Sequence, residues 1–454
     1  MSHKDIVVLA AGKGSRMKSN KSKVLHEIAG VPMIRRVLET ANNLSNSRLH
    51  LVVGHQGASV ADHCQDFLAN VVWQDNPKGT GDAVKRVADH LSGDGMTLTL
   101  YGDVPLIRQN TLEQMTQAGD DNTLVLLTVL LEDATGYGRI VRDENNDVMA
   151  IVEQKDATPA QAQIREANTG ILLAPNKHLL SWLSQLDCNN AQGEYYLTDI
   201  IAMAARDGLK IVTVHPSSES EVAGVNDRVQ LAQLEREWQK QQADNLMRQG
   251  LTLADPSRFD LRGSLKIGID SFIDINCVIE GDVSIGDNVV IGPNCHLKNC
   301  SIGDGSHIKN NSSIEESLIA EACEIGPYAR LRPGTKLAEK AKIGNFVETK
   351  KADIGAGSKV NHLSYVGDTE MGANVNVGAG TITCNYDGVN KFKTEIGDDV
   401  FVGSNSSLVA PAKIGSGATI AAGSTITKPV NNDQLAFARA RQTNKDGWSK
   451  PTKK

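Results

Sequence analysis

Residues 267–297 read IGIDSFIDINCVIEGDVSIGDNVVIGPNCHL, and this stretch decides the fold of the second half of the chain. An aliphatic residue recurs at every sixth position, at Ile267, Ile273, Ile279, Ile285, Ile291 and Leu297. Neither an α-helix nor an ordinary strand directs every sixth side chain inward. Three short strands per coil can do so, because each side of a triangular prism takes six residues and the aliphatic side chain points to the axis. The stretch therefore predicts a parallel β-helix of hexapeptide repeats.

The same period continues toward the C-terminus. Its further positions are Ile302, Ile308, Ile314, Ile325, Leu331, Leu337, Ile343, Ile354, Val360, Val366, Ile396, Val402, Leu408, Ile414, Ile420 and Ile426. About 160 residues at about 18 per coil would make a prism roughly 40 Å long. The frame is lost over 378–395. This insertion predicts a projecting loop, which is either part of a binding face or a neutral surface insertion.

The first 226 residues follow another pattern. β-rich segments at 5–10, 48–53, 96–101 and 123–130 alternate with helical patterns at 33–44, 80–91 and 110–118. This alternation is typical of an α/β, Rossmann-like fold with a mostly parallel sheet covered on both faces.

A single polar helix is predicted at 227–249, with Asn226 or Asp227 as its cap and Gly250 at its end. Its apolar stripe is thin, so we expect a linker helix rather than part of a core. The predicted domains are thus 1–226 and 250–454.

Composition limits the possible functions. The 454 residues suggest two or three domains, and a net charge of −7 without a basic stripe argues against a nucleic-acid partner. No apolar stretch approaches the roughly 20 residues of a membrane span. The seven cysteines form no CxxC motif, so we expect reduced thiols and a cytoplasmic protein.

A glycine-rich loop follows the first predicted strand and reads LAAGKGSRM over residues 9–17. Backbone N–H groups in such a turn can approach a phosphate, and a following helix start favours the anion. The loop lacks Walker spacing, and Met17 stands where a dinucleotide fingerprint needs a third glycine. It is either a phosphate cradle with two added cations, Lys13 and Arg16, or a tight turn with surface charges.

A second candidate follows the predicted strand at 97–101. Asp103 lies at the C-terminal end of this strand, where doubly wound folds bind ligands. Alone it would be an ordinary turn residue, but beside a triphosphate such a carboxylate favours Mg²⁺. Because the phosphate loop is present, we prefer the metal site.

These motifs resemble the sugar-1-phosphate nucleotidyltransferases, whose pattern is L-A-A-G-x-G-x-R-M, then a lysine, then G-x-P-M. The lysine is Lys23, and residues 30–33 read GVPM. The family usually has Pro-Lys where this chain has Ser22-Lys23. Its uridylyltransferase branch implies that UTP and the sugar phosphate contact Leu9, Ala10, Ala11, Gly12, Lys23, Gln74, Gly79, Thr80, Tyr101, Gly102, Asp103, Gly138, Glu153, Asn168 and Asn226.

The resemblance also implies roles. The sugar phosphate oxygen attacks the α-phosphorus of UTP and pyrophosphate leaves, so the protein supplies position and charge neutralisation. Asp103 and Asn226 would be the protein ligands of Mg²⁺. Arg16 and Lys23 would stabilise charge on the transferring and leaving groups. The segment Tyr195–Asp199 matches a stretch that lines the acetamido side of the sugar pocket.

Polar residues in neighbouring coils of the β-helix can converge although they are far apart in sequence. The segments FVETKK at 346–351 and NHLSY at 361–365 resemble the acetyltransferase half of the bifunctional bacterial family of UDP-N-acetylglucosamine synthesis. There the histidine matching His362 deprotonates the glucosamine amine, with the residue matching Glu348 orienting it; an imidazole suits a base near neutral pH. The implied contacts to the sugar phosphate are Arg332, Lys350, Tyr365 and Asn376.

The same resemblance implies acetyl-CoA contacts at Ala379, Asn385, Tyr386, Ser404, Ala422, Arg439 and Lys445. Ser404 would stabilise the tetrahedral oxyanion. The tail to Trp448 would meet the CoA phosphates, unless it is a disordered basic end. Cys384 could suggest an acyl-thiol intermediate, but direct attack by the amine needs only a base and oxyanion support. A left-handed coil and a homotrimer with acetyl sites at subunit junctions are also implied.

Three hypotheses remain. In the first, the enzyme acetylates glucosamine-1-phosphate with acetyl-CoA and then uridylylates the product, feeding peptidoglycan and lipopolysaccharide precursor synthesis. In the second, the β-helix of a uridylyltransferase is only regulatory or oligomerising. In the third, the chain is a trimeric scaffold with decayed sites. The polar residues of the β-helix disfavour the second hypothesis, and the intact cations and acid of the first half disfavour the third.

Overall fold

The structure is a computed structural model that describes residues 3–453. The chain divides into two compact units, Met1–Trp238 and Gln239–Lys454. The strands of the first unit are β1 (Lys4–Ala10), β2 (Glu27–Ile28), β3 (Val31–Pro32), β4 (Ser47–Val53), β5 (Asn70–Trp73), β6 (Met96–Tyr101), β7 (Thr123–Leu130), β8 (Gly138–Arg142), β9 (Val148–Val152), β10 (Glu166–Pro175) and β11 (Lys210–Val214). Its helices are α1 (Met33–Asn42), α2 (Gly57–Asp62), α3 (Thr80–Lys85), α4 (Gln109–Ala118), α5 (Asn176–Gln185) and α6 (Asp199–Arg206).

One nine-stranded sheet organises the first unit, in the order β11-β7-β10-β6-β1-β4-β5, with β8 also paired to β10 and β9 paired to β8. Strand β1 is parallel to β4 and β6, whereas β10 is antiparallel to β6 and β7. Every residue of β1 is buried, and its alternate side chains enter two cores on opposite faces of the sheet. The C-terminal ends of β1 and β6 therefore lie side by side in the middle of the sheet. Candidate site residues lie in the loops that follow these two strand ends.

Two of the three predicted helices of this unit agree with α1 and α4 to within two residues. The helix predicted at 80–91 is wrong in its length, because α3 ends at Lys85. Beyond that residue the backbone tightens into a 3-10 turn: Val87 donates to the carbonyl oxygen of Val84, and His90 to that of Val87. Bonds of this kind reach three residues back instead of four and end the α-helix.

A long polar helix, α7 (Arg228–Arg248), occupies the predicted helical segment. Asp227 is its cap, because one carboxylate oxygen accepts from the backbone N–H groups of Val229 and Gln230, each at 2.9 Å. Gly250 follows the helix with φ +109°. The boundary between the two compact units falls within α7, after Trp238. None of the described helices is long and apolar enough to cross a membrane.

The second unit is a solenoid of short parallel strands. They are β12 (Thr252–Leu253), β13 (Phe259–Ile267), β14 (Phe272–Ile273), β15 (Cys277–Ile285), β16 (Val290–Ile291), β17 (His296–Lys298), β18 (Ser301–Ile302), β19 (His307–Ile308), β20 (Ser313–Glu315), β21 (Leu318–Ile319), β22 (Glu324–Ile325), β23 (Arg330–Leu331), β24 (Lys336–Leu337), β25 (Lys342–Asn345), β26 (Glu348–Ile354), β27 (Lys359–His362), β28 (Tyr365–Met371), β29 (Asn376–Val377), β30 (Ile382–Cys384), β31 (Thr394–Ile396), β32 (Phe401–Val402), β33 (Ser407–Val409), β34 (Ala412–Ile414), β35 (Thr419–Ile420), β36 (Thr425–Ile426) and β37 (Leu435–Ala436).

Each coil pairs in register with the next, so that Ile267 opposes Ile285 and Ile285 opposes Ile302. These two coils take 18 and 17 residues, the coil from Asn376 to Phe401 takes 25, and the last takes 16 from Thr419 to Leu435, so the length is not a constant 18. The hexapeptide positions fill the interior: with the exception of the half-buried Ile267, the aliphatic residues of the predicted period are at most 5% exposed. Their packing closes the core of the prism.

The insertion is shorter than the sequence predicts. Strand β30 lies within the stretch where the hexapeptide frame is lost, and it pairs with β28 and β33 like any other strand of the solenoid. Thr383 takes the interior position, which a pattern built on aliphatic residues does not detect. The projecting part is 385–393, closed by a bridge between Tyr386 and Lys391. The fold class that the sequence predicts, an α/β nucleotidyltransferase domain and a hexapeptide β-helix, is confirmed.

Candidate active sites

The glycine-rich loop leaves the end of β1 and enters a short 3-10 turn at Ser15–Met17 that carries Arg16. Leu9, Ala10 and Ala11 are buried, whereas Gly12 is exposed and has open space around it. At Gly14 φ is +59°, and a Cβ atom would approach the Cβ of Lys23 to 2.6 Å. The backbone of the loop thus lies open to a ligand, and a glycine lets Lys23 pack against it.

Four predicted residues meet at one point beyond the ends of β1 and β6. The Lys23 ammonium forms an ion pair with Asp103 and lies 3.3 Å from Oδ1 of Asn226. Arg16 donates to the same Asn226 oxygen at 2.9 Å. The backbone holds the two oxygen-bearing residues together, because Val225 N–H donates to the carbonyl oxygen of Asp103 at 2.9 Å.

Ser22, where the family usually has proline, does not alter the turn that carries Lys23. Its φ is −53°, a value that proline also adopts, and its carbonyl accepts from the N–H of Leu25 at 3.0 Å. The lysine therefore begins its 3-10 turn from a proline-compatible backbone.

A cavity of about 330 Å³ opens beside this cluster. Arg16, Tyr101, Asp103, Tyr137 and Asn226 are among the residues that line it. Burial raises the pKa of Tyr101, and the carboxylates of Glu153 and Asp103 raise it further. The phenol therefore stays protonated and can donate a hydrogen bond. The size is at the lower end of the range for small-molecule pockets.

The predicted sugar residues also come together. Gly138 and Asn168 are paired across β8 and β10, and a Cβ on Gly138 would lie 3.4 Å from Oε2 of Glu153. Glu153 accepts from the hydroxyl of Thr198 at 3.1 Å. Burial raises the pKa of this carboxyl. Asp199, next to Thr198, has its pKa raised to about 6 by burial and by surrounding acids.

Hydrogen bonds join the predicted uracil-binding segment, around Gly79 and Thr80, to the segment that begins at Tyr195. Tyr195 N–H donates to the carbonyl of Lys78 at 2.7 Å, and the hydroxyl of Thr80 accepts from Leu197 N–H at 3.1 Å. Gly79 has φ +107°, and a Cβ there would come within 2.5 Å of the Tyr195 carbonyl oxygen. Close backbone contact therefore requires glycine at this position. Gly102, predicted in the nucleotide site, likewise donates to the carbonyl of Leu9 at 2.9 Å.

In the β-helix, His362, the predicted general base, lies at the same corner of the prism as several predicted acetyl-CoA contacts. The carbonyl of His362 accepts from Gly380 N–H at 3.3 Å, that of Ala379 from Asn405 at 2.7 Å, and that of Ser404 from Gly423 at 2.8 Å. His362, Ala379, Ser404 and Ala422 consequently lie at the same corner of four successive coils. His362, Ser404 and Ala422 are exposed there.

The residue that contacts the His362 ring is Asn345, which the sequence analysis did not predict. The two are in register on β25 and β27, and the imidazole Nδ1 lies 2.7 Å from the amide Oδ1. An amide oxygen only accepts, so in the neutral tautomer that fits this contact Nδ1 would carry the proton and Nε2 the lone pair. Neighbouring Gly344 permits the contact between coils: a Cβ there would come within 1.9 Å of the Asn361 carbonyl oxygen.

Glu348 is paired with arginines rather than with His362. It accepts from Arg332 at 2.8 Å and lies 3.5 Å from Arg330. Lys350 follows on the same strand, β26, and Lys391 from the projecting loop lies beside it. This second ammonium, together with Arg332, lowers the pKa of Lys350. Lys391 was also missed by the sequence analysis, because it lies in the segment without a frame.

The projecting loop contributes Asn385, which is buried and donates to Asp368 at 2.5 Å and to the hydroxyl of Tyr365 at 3.4 Å. Tyr386 is exposed. Asn376 lies on β29, on another side of the prism, where it pairs with Lys359 and Phe401. Among the predicted acetyltransferase residues, the structure therefore groups Tyr365 with Asn385, whereas Asn376 stays separate from them.

The tail after β37 has no regular structure within the described range. Arg439 donates to the Ala422 carbonyl at 2.7 Å, which attaches the start of the tail to the corner that carries His362. Lys445 lies over the ring of Trp448, 5.6 Å from its centroid.

Comparison with known proteins follows this division into two parts. Residues 6–156 match the MobA-like NTP transferase domain family. Residues 261–354 match the GMPPB C-terminal domain, and 393–428 match six repeats of the bacterial transferase hexapeptide family. A putative glucose-1-phosphate thymidylyltransferase structure from Bacillus anthracis shares 20% identity over 51% of this chain and 94% of that one, with a TM-score of 0.41.

Two curated relatives match from end to end. The chain is 69% identical over 450 residues to the Bifunctional protein GlmU of Marinomonas sp. (strain MWYL1), covering 99% of both chains. It is 56% identical over 453 residues to the Bifunctional protein GlmU of Marinobacter nauticus (strain ATCC 700491 / DSM 11845 / VT8), covering 100% of both. The chain therefore belongs to the GlmU family of bifunctional proteins, the nucleotidyltransferase–acetyltransferases that its motifs resemble.

Proposed function

We propose that this bifunctional enzyme makes UDP-N-acetylglucosamine by two reactions in different parts of the chain. Residues 250–454 acetylate glucosamine-1-phosphate with acetyl-CoA, and residues 1–226 then uridylylate the product with UTP. The observation that carries the proposal is the presence of two separate polar clusters. One surrounds Lys23 and Asp103, and the other surrounds His362 and Lys350.

In uridylyl transfer, the open loop at Gly12 binds the phosphates of UTP through backbone N–H groups. Arg16 and Lys23 stabilise the negative charge that moves to the leaving pyrophosphate. The sugar is held by Glu153 and Asn168, and the base by the segment that begins at Gln74. No covalent intermediate is required, so these residues act by position and charge.

Asp103 and Asn226 are the residues that would hold Mg²⁺ in this site. The test of fit is that a carboxylate oxygen and an amide oxygen already lie against one cation, the Lys23 ammonium. Oxygen ligands of this kind suit Mg²⁺. When bound, the metal would supply neutralisation of phosphate charge.

In acetyl transfer, Nε2 of His362 takes a proton from the glucosamine amine as that amine attacks the thioester carbon. The tetrahedral oxyanion is stabilised near Ser404; as the C–S bond breaks, the sulfur takes the proton from His362 and CoA leaves as the thiol. Arg332 and Lys350 attract the phosphate of the sugar. Glu348 keeps the Arg332 guanidinium in place through their 2.8 Å contact.

We also propose a cytoplasmic homotrimer with acetyl sites at subunit junctions. Phe346 and Leu363, which follow Asn345 and His362, are 55% and 63% exposed and have φ near +50°. Exposed apolar side chains at adjacent corners are typical of protein contact sites, so contact with a second copy would account for their exposure. The seven free cysteines support a reducing compartment.

The deciding measurement separates the two reactions. Purified protein is mixed with acetyl-CoA and glucosamine-1-phosphate without UTP, and free CoA thiol is followed. In a parallel sample, pyrophosphate is followed after UTP and N-acetylglucosamine-1-phosphate are mixed. We expect prompt product in both. Pyrophosphate without CoA release would leave a uridylyltransferase on a β-helical scaffold, and neither product would reject both assignments.

A further inference from the structure

The amide of Gln74 is held in one orientation by two neighbours. Its Nε2 atom lies 2.7 Å from Oδ2 of Asp82 and 3.2 Å from the carbonyl oxygen of Gly79. A carboxylate and a carbonyl can only accept, so both contacts require the NH₂ side of the amide. Both residues are buried, with Gln74 2% and Asp82 9% exposed. A flipped amide would place its oxygen against two acceptors.

This orientation leaves Oε1 as the group that Gln74 can offer to a ligand. Among residues 3–453, the hydrogen bonds of the Gln74 side chain are those made by Nε2, and they go to Gly79 and Asp82. The backbone around it is equally fixed, because Gln74 N–H donates to the carbonyl of Val53 at 2.8 Å. The segment therefore presents a hydrogen-bond acceptor that cannot become a donor by rotation.

We propose that Asp82 is a positioning residue that selects uracil over cytosine by locking Gln74. The inference rests on the proposed role of Gln74 in contacting the base. At the edge that reads pairing, uracil has an N3–H donor, whereas cytosine has an unprotonated N3 acceptor. A fixed Oε1 accepts from the uracil N3–H and faces a lone pair in cytosine. Sites built around such hydrogen bonds discriminate strongly, because the wrong partner leaves buried groups unpaired.

The test uses the full-length protein and compares UTP with CTP in pyrophosphate release with N-acetylglucosamine-1-phosphate. In Asp82→Asn the new side chain can donate as well as accept, so only the more distant Gly79 carbonyl still opposes a flipped Gln74 amide. We expect the ratio of kcat/KM for UTP over CTP to fall about tenfold or more, mainly through the UTP value. Arg86→Gln is the matched control. It removes a cation that lies 3.4 Å from the other oxygen of Asp82, and the ratio should stay unchanged.

A thermal unfolding curve of each preparation reports whether the unit that carries Asp82 remains folded, and acetyl transfer shows that equal amounts of intact chain are compared. An unchanged UTP-to-CTP ratio in Asp82→Asn would overturn the inference. If both kcat/KM values fall equally, Asp82 has only a structural role. Gln74→Leu distinguishes these failures from failure of the underlying role. If Gln74→Leu lowers the ratio and Asp82→Asn does not, Gln74 contacts the base without the lock. If Gln74→Leu leaves the ratio intact, the proposed base contact itself is wrong.

Discussion

The two clusters differ in whether their lysine charges are neutralised. In the first unit, the Lys23 ammonium is already neutralised by Asp103, and both side chains are largely buried, 14% and 18% exposed. In the β-helix, Lys350 and Lys391 lie side by side, and their repulsion lowers the pKa of Lys350. A ligand of the first site must compete with the ion pair between Lys23 and Asp103. In the second site, a bound anion would relieve the repulsion between Lys350 and Lys391. Substitutions should therefore affect the two reactions separately and in different ways.

The largest effect is expected for His362→Ala. Loss of a general base lowers acetyl transfer by about 10²–10⁴-fold, whereas uridylyl transfer should keep its rate because its cluster lies in the other unit. CoA thiol release and pyrophosphate release measure the two reactions. His307→Ala is a matched control, since this histidine is exposed on β19. Loss of both activities in His362→Ala would mean that the division of labour is wrong.

Asp103→Ala should produce the converse result. It leaves Lys23 without its carboxylate partner and removes one proposed Mg²⁺ ligand, so uridylyl transfer should fall about 10²–10³-fold. Acetyl transfer should not change. Asp94→Ala, at an exposed acid of the same unit, is the control for mutating an aspartate. Full pyrophosphate release by Asp103→Ala would remove this residue from the reaction.

Asn345 gives a smaller and more specific effect. Asn345→Ala frees the imidazole to adopt either tautomer, so kcat for acetyl transfer should fall about tenfold with little change in KM. Asn345→Asp places a carboxylate beside Nδ1, which favours the protonated ring and should move the acidic limb of the rate profile to higher pH. The measurement is CoA release between pH 5 and 9. A profile that does not move would show that residue 345 only supports the coil.

The β-helix was the more predictable half because its interior repeats. One side chain in six must be buried, and this requirement is visible in the sequence from Ile273 to Ile426. The prediction of the insertion failed because Thr383, an interior residue, is not aliphatic, and the predicted insertion was therefore too long. In the first unit the alternation of strands and helices was also visible. The end of α3 was not, since i→i+3 bonding leaves no mark on periodicity.

The site residues likewise divide into those that the sequence reveals and those that it does not. Loops such as 9–17 carry a recognisable motif, and resemblance supplied positions such as Gly138, which no pattern singles out. The sequence does not reveal Asn345, Lys391 and Asp82, because their importance depends on partners that folding brings close. Asn345 contacts the His362 ring, 17 positions along the chain. Lys391 lies beside the Lys350 ammonium, and Asp82 accepts from the Gln74 amide. Such pairings are properties of register and packing, not of local sequence.

Lys391→Met should sharpen the electrostatic comparison. Removing one of two adjacent ammonium groups should weaken the attraction for the sugar phosphate, so KM for glucosamine-1-phosphate should rise several-fold at pH 7. The pH dependence should change as well. A lysine whose pKa is lowered loses its charge at a lower pH than usual, so KM of the unmodified enzyme should begin to rise earlier on the alkaline side than KM of the variant.

The control for that experiment is Lys413→Met, which removes an exposed lysine paired with Glu395 at 3.2 Å. Its KM for glucosamine-1-phosphate should match that of the unmodified enzyme throughout the pH range. If Lys391→Met behaves like this control, the two ammonium groups do not form one anion site.

The smallest effect is expected for Cys384→Ser, which should change acetyl transfer by less than about twofold. The thiol of Cys384 has a weak contact to the carbonyl of Ile382 at 3.9 Å, and the lysine pair proposed to attract the sugar phosphate lies on another strand and loop. If the acetyl group passed through this sulfur, the variant would lose the reaction and the unmodified enzyme would release a burst of CoA without the sugar. Rapid-mixing measurement of CoA thiol with acetyl-CoA alone checks the second point. Absence of a burst, together with an active serine variant, leaves direct attack by the amine on the thioester as the route.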